Sequence, residues 1–378
     1  FGHLFTSAPA PEQGRDDTPK LGFYLCRVFE DRCDLHLIRT AAETDLAQTH
    51  LITRSAAALQ GASLGVTLTH VLCPTTEVPL AWPSAIRQRV RNDYPGLAMQ
   101  EMGVTSARVP WTDIVDSLQC ERLQYLRSEG IAVQAFVPFD DNLDLHHLLD
   151  HFPDYADSWE IQTAGNPLPS ETCLALLANC SRYSRLSLST IVPGELIAGK
   201  QHPRTRLGFQ ITELTTLDNL LTASDLTLDS VLCRIDGTEN PWTTVLCFRN
   251  MPPLTSIRRV DWLLTLHGSD DGASANLATE ALLAMALLPE ARLYVDPMLD
   301  LDRTMDVGHG LLDTRCNPRP VFHALRCLNT ILHVRCTAWT PEEREERGVR
   351  VLSLRSEEGR LELLLPEGSV EWAFDEKR

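Results

Sequence analysis

The stretch 260–329 decides the fold, and it reads VDWLLTLHGSDDG at 260–272, ARLYVDPMLDLDR at 291–303 and HGLLDTRCNPRPVFHALRCLN at 309–329. An apolar run ends in His267, Asp270 and Asp271, an amphipathic segment follows at 274–288, and a second apolar run ends at Asp296. Strand, polar loop, helix and strand in this order are typical of a parallel α/β protein. Polar residues that follow the strands of such folds lie where their sites form.

The same alternation extends over most of the 378 residues. Apolar runs recur from 21–26 to 292–295, and helical patterns lie between several of them, at 45–60, 111–128, 170–183, 274–288 and 319–333. Parallel strands need crossover helices, whereas antiparallel neighbours need only tight turns. The Gly-rich turn of an open nucleotide-binding sheet is missing from the sequence. We therefore predict an α/β fold, a (β/α)8 TIM barrel over residues 21–335.

The two ends of the chain depart from the barrel pattern. Residues 1–20 are polar and Pro-rich, and we interpret them as a tail or linker. Residues 336–378 contain short alternating runs joined by Gly turns, which predict a C-terminal β segment. Two or three strands bury little core by themselves, so this segment is either an appendage of the barrel or an incomplete domain.

Composition excludes some partners and favours one compartment. The formal net charge of −17 opposes a general nucleic-acid surface and an anionic membrane. No apolar stretch approaches the roughly 18–20 residues of a membrane span. The eleven cysteines are scattered without CxxC spacing, so we expect free thiols and a cytoplasmic location, with secretion as the alternative. Whether the chain forms an oligomer does not follow from the sequence.

The final part of the barrel pattern resembles a known group of enzymes. Gly310-Leu311-Leu312-Asp313 and Asn317-Pro318-Arg319-Pro320 match turns that follow the last strand of glycoside-hydrolase-like barrels of the large retaining clan. The segment is also similar to the barrels of sugar-acid lactonases. The resemblance covers about thirty residues and implies a TIM barrel, a carbohydrate or sugar-acid substrate and no cofactor. It is more specific for the fold than for the reaction.

The sequence departs from that clan at its two catalytic positions. The clan pattern has an Asn-Glu pair at the end of the fourth strand and a Glu at the end of the seventh. The fourth-strand candidate, 158–166, reads SWEIQTAGN, and its acid, Glu160, comes about four residues early. The seventh-strand candidate ends in HGSDD without a Glu. The resemblance therefore implies that the usual carboxylate pair is displaced or lost.

We place the candidate site among the acids, imidazole and aromatic residue on and after these strands. We expect catalytic roles for Glu160, Asp270, Asp271 and His267, and substrate contacts from Asp236, Glu239, Trp242, Asp296 and Gln162. We expect no bound metal in this leading interpretation.

Each candidate also has a structural interpretation. Strand alternation puts Glu160 and Gln162 on one face, where Glu160 can instead form an ion pair with Arg39 or Arg108 inside the barrel. Asp270 or Asp271 can cap the helix that begins near Ser274. Trp242 can stack on a sugar or pack in the core, and Asp296 can belong to a solvated acidic loop.

Three functions remain open from the sequence. In the leading one, a carbohydrate-active hydrolase, Glu160 or Asp236 protonates the leaving oxygen. Asp270 or Asp271 then acts as base or nucleophile, and His267 holds substrate hydroxyls or relays a proton. The first alternative is a sugar-lactone hydrolase that uses His and Asp, with or without a divalent metal. The second is a glycosidase-like barrel without catalysis, used for binding or assembly.

Overall fold

A computed structural model gives the architecture of two compact units, 1–60 with 330–336 and 61–329 with 337–378. It describes residues 4–5, 22–29, 32–39, 63–68, 75–79, 87–91, 94–140, 144–152, 155–180, 185–194, 205–235, 240–266, 270–288, 290–303, 306–313, 315–334, 339–346, 349–356 and 360–366.

The first unit contains a small antiparallel sheet. Its strands, in sheet order, are β1 (Leu4–Phe5), β2 (Gly22–Phe29) and β3 (Arg32–Arg39). We expected the barrel to begin near residue 21, but the two apolar runs there form this hairpin instead. Only two residues separate β2 from β3, which suits a tight hairpin loop and is far too short for a crossover helix.

The second unit holds the remaining strands and the helices up to residue 329. Its strands before the C-terminal segment are β4 (Ser63–Thr67), β5 (Thr75–Pro79), β6 (Arg87–Arg91), β7 (Ser106–Pro110), β8 (Ala132–Pro138), β9 (Ser158–Ala164), β10 (Leu186–Pro193), β11 (Thr205–Leu207), β12 (Ser230–Ile235), β13 (Val260–Thr265), β14 (Arg292–Asp296), β15 (Leu301–Arg303) and β16 (Asp306–Gly308).

Eight of these strands close into a parallel barrel. The order is β4-β7-β8-β9-β10-β12-β13-β14, and β14 pairs again with β4. Consecutive barrel strands are therefore neighbours, as a (β/α)8 barrel requires. The pairs β5–β6 and β15–β16 are separate antiparallel hairpins, and β11 pairs antiparallel with the end of β10. The predicted fold class is confirmed, with β9 as the fourth barrel strand and β13 as the seventh.

The helices among the described residues are α1 (Tyr94–Met102), α2 (Trp111–Val115), α3 (Ser117–Ser128), α4 (Leu145–His151), α5 (Glu171–Cys180), α6 (Ile211–Ala223), α7 (Pro241–Arg249), α8 (Asp271–Met285) and α9 (Pro320–Val334). Several begin where the sequence supplies a cap. Gln210 and Glu213 form a capping box at α6, and Asn240 caps α7 before Pro241. None of the described helices has the length and apolar character needed to cross a bilayer.

The barrel interior is unusually polar. Tyr294 Oη on β14 donates to Gln134 Oε1 on β8 at 3.0 Å, and three strand steps separate these residues, so the contact crosses the interior. Arg108 and Glu160 are also fully buried there. The interior of such barrels is ordinarily filled by branched apolar side chains. The polar face of these strands therefore points inward, and alternation turns their apolar face towards the helices.

A glycine allows Tyr294 to fill this interior. A Cβ atom added at Gly65 on β4 would lie 2.6 Å from the Tyr294 ring and 2.6 Å from Ser106 Oγ. Carbon atoms pack no closer than about 3.5 Å. Gly65 is therefore needed for the close approach of the tyrosine ring.

The C-terminal segment is a three-stranded antiparallel sheet, β17 (Thr340–Glu346), β18 (Val349–Arg355) and β19 (Arg360–Pro366), which confirms the predicted β appendage. Arg350 on β18 donates to Glu280 Oε2 on α8 at 2.9 Å, and the other oxygen of Glu280 accepts the backbone N–H of Trp242 at 3.1 Å. One carboxylate thus joins α7, α8 and the sheet.

Candidate functional site

Glu160 lies inside the barrel and is surrounded by donors. Arg108 Nε and Nη2 each approach one carboxylate oxygen at 2.5 Å. Gln134 donates to Oε2 at 2.8 Å, and Ser189 and Gln162 donate to Oε1 at 2.5 and 3.1 Å. Five hydrogen bonds fill the roughly four lone-pair sites that a carboxylate offers. Glu160 is therefore fully engaged by protein groups.

These contacts determine the charge of Glu160. Burial by itself raises the pKa of this carboxyl, but the charge and hydrogen bonds of Arg108, with those of Ser189 and Gln162, outweigh burial and lower the pKa below its ordinary value. A general acid needs the opposite shift, towards the working pH. The geometry matches the structural interpretation of Glu160, an ion pair with Arg108.

Two predicted substrate contacts lie close to this pair. Gln162, two residues after Glu160, is buried and donates to it. Asp296 ends β14. Burial by itself lowers the pKa of Arg108, but the charge and hydrogen bonds of Glu160, with a further contribution from the charge of Asp296, raise it above its ordinary value. Arg108 also stacks over the Phe136 ring, with its guanidinium carbon 4.6 Å from the ring centroid. Glu160, Gln162 and Asp296 are thus brought into one region of the barrel.

Asp270 caps helix α8. Its Oδ1 accepts the backbone N–H groups of Gly272 and Ala273 at 2.9 and 3.0 Å. An aspartate in this position satisfies N–H groups that have no partner within the helix. Asp270 therefore matches the structural interpretation of the 270–271 pair, a helix cap.

Asp271 belongs to an ion-pair cluster after β13 and β14. Arg319 contacts Asp271 Oδ2 at 3.3 Å and Asp300 Oδ2 at 2.5 Å, and His309 Nδ1 lies 3.1 Å from Asp271 Oδ1. Asp300 also accepts the backbone N–H of Gly310 at 2.8 Å. The sequence placed Asp271 in the site, but it did not identify His309 as a neighbour, because 38 residues separate the two.

The motif that carried the family resemblance shapes this loop. A Cβ atom at Gly310 would lie 2.6 Å from the carbonyl carbon of Leu299, so only glycine fits. Asp313 accepts the backbone N–H groups of Arg315 and Asn317, each at 2.8 Å. The motif therefore forms a fixed turn that places Arg319 next to Asp271 and Asp300.

Trp242 is the second residue of α7, and its side chain is fully buried. Its neighbour on the chain, Pro241, is also buried. A ring without exposed area offers no face to a sugar, so the structure favours the packing interpretation of Trp242. The other predicted residues in this group, Asp236, Glu239 and His267, lie outside the described residues.

Asp113, an acid that the sequence did not single out, has a raised pKa, whereas the pKa of Glu160 is lowered. Asp113 lies on α2, which directly follows the carboxyl end of β7. Burial, together with the charge of Asp116, raises the pKa of Asp113 to about 6. A carboxyl with such a pKa is partly protonated near neutral pH. No pattern in WTDIVD distinguishes it from an ordinary helix-start acid.

The described residues show no metal-ion cluster, and one groove lies at the ends of two helices. Within the described ranges, no group of three or more His, Cys, Asp or Glu side chains is arranged to hold a metal. A groove of about 490 Å³ is lined by residues at the ends of α7 and α8 and by Trp339. Helix ends that lead into the next strand lie at the amino-terminal face of such a barrel, opposite the mouth.

Comparison with known proteins agrees with this architecture. No family model and no curated protein matches the chain. It is similar to the solved structure of a family 39 glycoside hydrolase from Bacteroides cellulosilyticus WH2, with 13% identity and a TM-score of 0.50 over 95% of this chain and 82% of that one. The chain thus has a TIM-barrel fold similar to that of this glycoside hydrolase. The resemblance inferred from the sequence is confirmed for the fold.

Other solved structures are similar to the chain at lower TM-scores. One is a GH2 β-galacturonidase from Eisenbergiella tayi, with 11% identity and a TM-score of 0.39 over 63% of this chain and 46% of that one. Another is a β-D-mannosidase from Dictyoglomus thermophilum, with 10% identity and a TM-score of 0.34 over 92% and 51%.

Proposed function

We propose that this glycosidase-like barrel binds a carbohydrate or sugar acid without cleaving it, and that its role is recognition or assembly. The observation that carries the proposal is the engagement of Glu160 by five donors, two of them from Arg108. An ionised carboxylate without a free lone pair neither protonates a leaving group nor attacks a sugar carbon.

The carboxyl ends of the two strands that bear catalytic acids in the clan support the same proposal. The fourth strand, β9, ends at Ala164, which Gly165 and Asn166 follow. The sequence from 260 to 272 around the end of β13 contains no glutamate. Asp270, the first described acid after β13, caps a helix. Glu160 and Asp270 are thus both occupied by structural contacts.

Asp113 favours a second candidate function, a carbohydrate-active hydrolase with a displaced general acid. Its pKa of about 6 suits proton donation near neutral pH. In that case a second carboxylate, within about 10 Å of Asp113, has to act as base or nucleophile. Asp296, which ends β14 at the carboxyl edge of the barrel, is our candidate for this role.

The experiment that separates the two is a paired test for hydrolysis and binding. The chain is incubated with a panel of aryl glycosides, aryl glycuronides and sugar lactones, and product release is measured. Binding of the same sugars is measured with a glycan array and by saturation-transfer NMR. The proposal predicts binding of at least one sugar and no release above the buffer rate.

Two results contradict the proposal in different ways. Product release that Asp113→Asn abolishes, with the fold retained, supports the displaced-acid hydrolase instead. Absence of binding to every sugar overturns carbohydrate recognition. Glu160→Gln is the comparison variant. Hydrolysis lost in this variant, while its circular dichroism matches that of the wild type, would restore Glu160 as the catalytic acid.

A further inference from the structure

Helix α4 carries two histidines one turn apart. His147 and His151 are exposed, whereas Leu145, Leu148 and Leu149 of the same helix are buried. Residues four apart lie on the same side of a helix. The imidazole rings are stacked, with 3.9 Å between their centroids and 19° between their planes. The fold therefore holds two metal-ligating groups together on a supported helix, outside the barrel interior.

The contacts of His151 determine which of its ring nitrogens is available to bind a metal ion. His151 Nδ1 lies 3.0 Å from the carbonyl oxygen of His147. A carbonyl only accepts hydrogen bonds, so Nδ1 carries the proton in the neutral ring and Nε2 has the free lone pair. The same arrangement, in which the second ring nitrogen donates to a backbone carbonyl, orients histidine ligands in metal sites.

The backbone around the pair is also fixed. Asp144 caps the helix and accepts the backbone N–H of His147 at 2.9 Å. Three buried leucines attach the helix to the protein. The helix therefore does not need to form when a cation arrives, which lowers the entropic cost of binding. The two imidazoles only turn out of their stacked arrangement so that one nitrogen of each points at the ion.

From this geometry we infer that His147 and His151 form a binding site for a divalent transition-metal ion. Two imidazole nitrogens supply the protein ligands, and water completes the coordination shell, as the lack of a third described metal-ligating side chain requires. Imidazole suits Cu²⁺, Ni²⁺ and Zn²⁺, whereas Mg²⁺ and Ca²⁺ prefer oxygen ligands. The site is independent of what the barrel binds.

His146 supplies a matched control on the same helix. It precedes His147 by one residue, and its Nε2 lies 3.6 Å from Cys180 Sγ on α5. Adjacent residues of a helix do not face the same way. Replacement of His146 therefore changes the histidine count without changing the proposed pair.

The test is titration of the untagged full chain with Cu²⁺, Ni²⁺, Zn²⁺ and Mg²⁺ by calorimetry. We expect Cu²⁺ to bind most tightly and Mg²⁺ not to bind. His147→Gln and His151→Gln each weaken Cu²⁺ binding by more than about tenfold, since loss of even an outer partner of a ligand costs about 10–100-fold. His146→Gln leaves the affinity unchanged. Equal weakening in His146→Gln, or unchanged binding in the double variant His147→Gln/His151→Gln, overturns the inference.

A spectroscopic measurement on the wild-type chain avoids any folding defect of the variants. Electron paramagnetic resonance of the complex with one equivalent of Cu²⁺ reports the nitrogens bound to the ion. Coupling to two equivalent imidazole nitrogens supports the site. Coupling to one nitrogen, or to oxygen ligands alone, contradicts it.

Discussion

Arg108 and Glu160 face each other inside the barrel through two hydrogen bonds of 2.5 Å, and both side chains are fully buried. The two residues come from the second and fourth barrel strands. Their ion pair stands where the resemblance to glycosidases led us to expect catalytic chemistry. A carboxylate held in this way stabilises the fold, so its replacement is expected to lower the free energy of unfolding.

Glu160→Gln is expected to destabilise the protein by about 3–5 kcal/mol, because Arg108 loses its counter-charge while it remains buried. The free energy of unfolding in urea measures the effect. The control is Glu121→Gln, at an exposed position on α3, with an expected change within about 0.5 kcal/mol. An equal, small effect of both variants would show that Glu160 does not support the fold.

Stability at acidic pH should depend on the same residue. The folded-state pKa of Glu160 is lowered, mainly because Arg108 outweighs the effect of burial, so its contribution is present above the ordinary value of 4.5. That contribution disappears as the pH falls below 4.5 and approaches the folded-state pKa. Urea unfolding between pH 7 and pH 3 should show a steeper loss in the wild type than in Glu160→Gln. Parallel curves would contradict this assignment.

Gly65→Ala tests the close approach of Tyr294. The new Cβ atom would lie 2.6 Å from the tyrosine ring in a filled interior, and we expect a loss of about 1–3 kcal/mol in the free energy of unfolding. Gly96→Ala on α1 is the matched control, because a Cβ atom there has no neighbour within 4 Å. Alanine favours a helix more than glycine does, so this control should gain up to about 1 kcal/mol. A larger loss of unfolding free energy in Gly96→Ala than in Gly65→Ala would refute the packing described for Gly65.

Glu280→Ala should loosen the contact between the C-terminal sheet and the barrel. The buried Trp242 backbone N–H loses its acceptor, at a cost of about 1–3 kcal/mol for an unsatisfied group, and the partly buried Arg350 guanidinium keeps only Glu343 among its described partners. Glu345→Ala, exposed on β17, is the control. Unfolding in urea and the rate of proteolysis within 340–366 are measured. An unchanged proteolysis rate would argue against Glu280 as the joint.

Much of the barrel could be predicted because apolar residues recur with a different period in its strands and in its helices. The runs at 158–163 and 260–267 became the fourth and seventh barrel strands, and the segment at 274–288 became α8. The hairpin of β2 and β3 was misassigned, because an apolar run does not reveal whether its neighbour is parallel or antiparallel. Helix α6 was not recognised from its sequence.

The site was harder to predict, because its contacts connect distant parts of the chain. Arg108 and Glu160 are 52 residues apart, and the sequence could offer Arg108 only as one of two partners. Asp270 illustrates the second difficulty: an acid after a strand is equally suited to catalysis and to a helix cap. The raised pKa of Asp113 depends on burial, which a short pattern does not encode.

The ionisation of Glu160 tests the central claim most directly. Carbon-13 NMR of the chain labelled at glutamate side-chain carboxyl carbons, with Glu160→Gln to assign the resonance, follows this group as pH is lowered. We predict that Glu160 titrates below its ordinary value of 4.5 and stays ionised at neutral pH. A titration above 4.5 and close to neutrality, as a proton-donating catalytic carboxyl requires, would contradict the account.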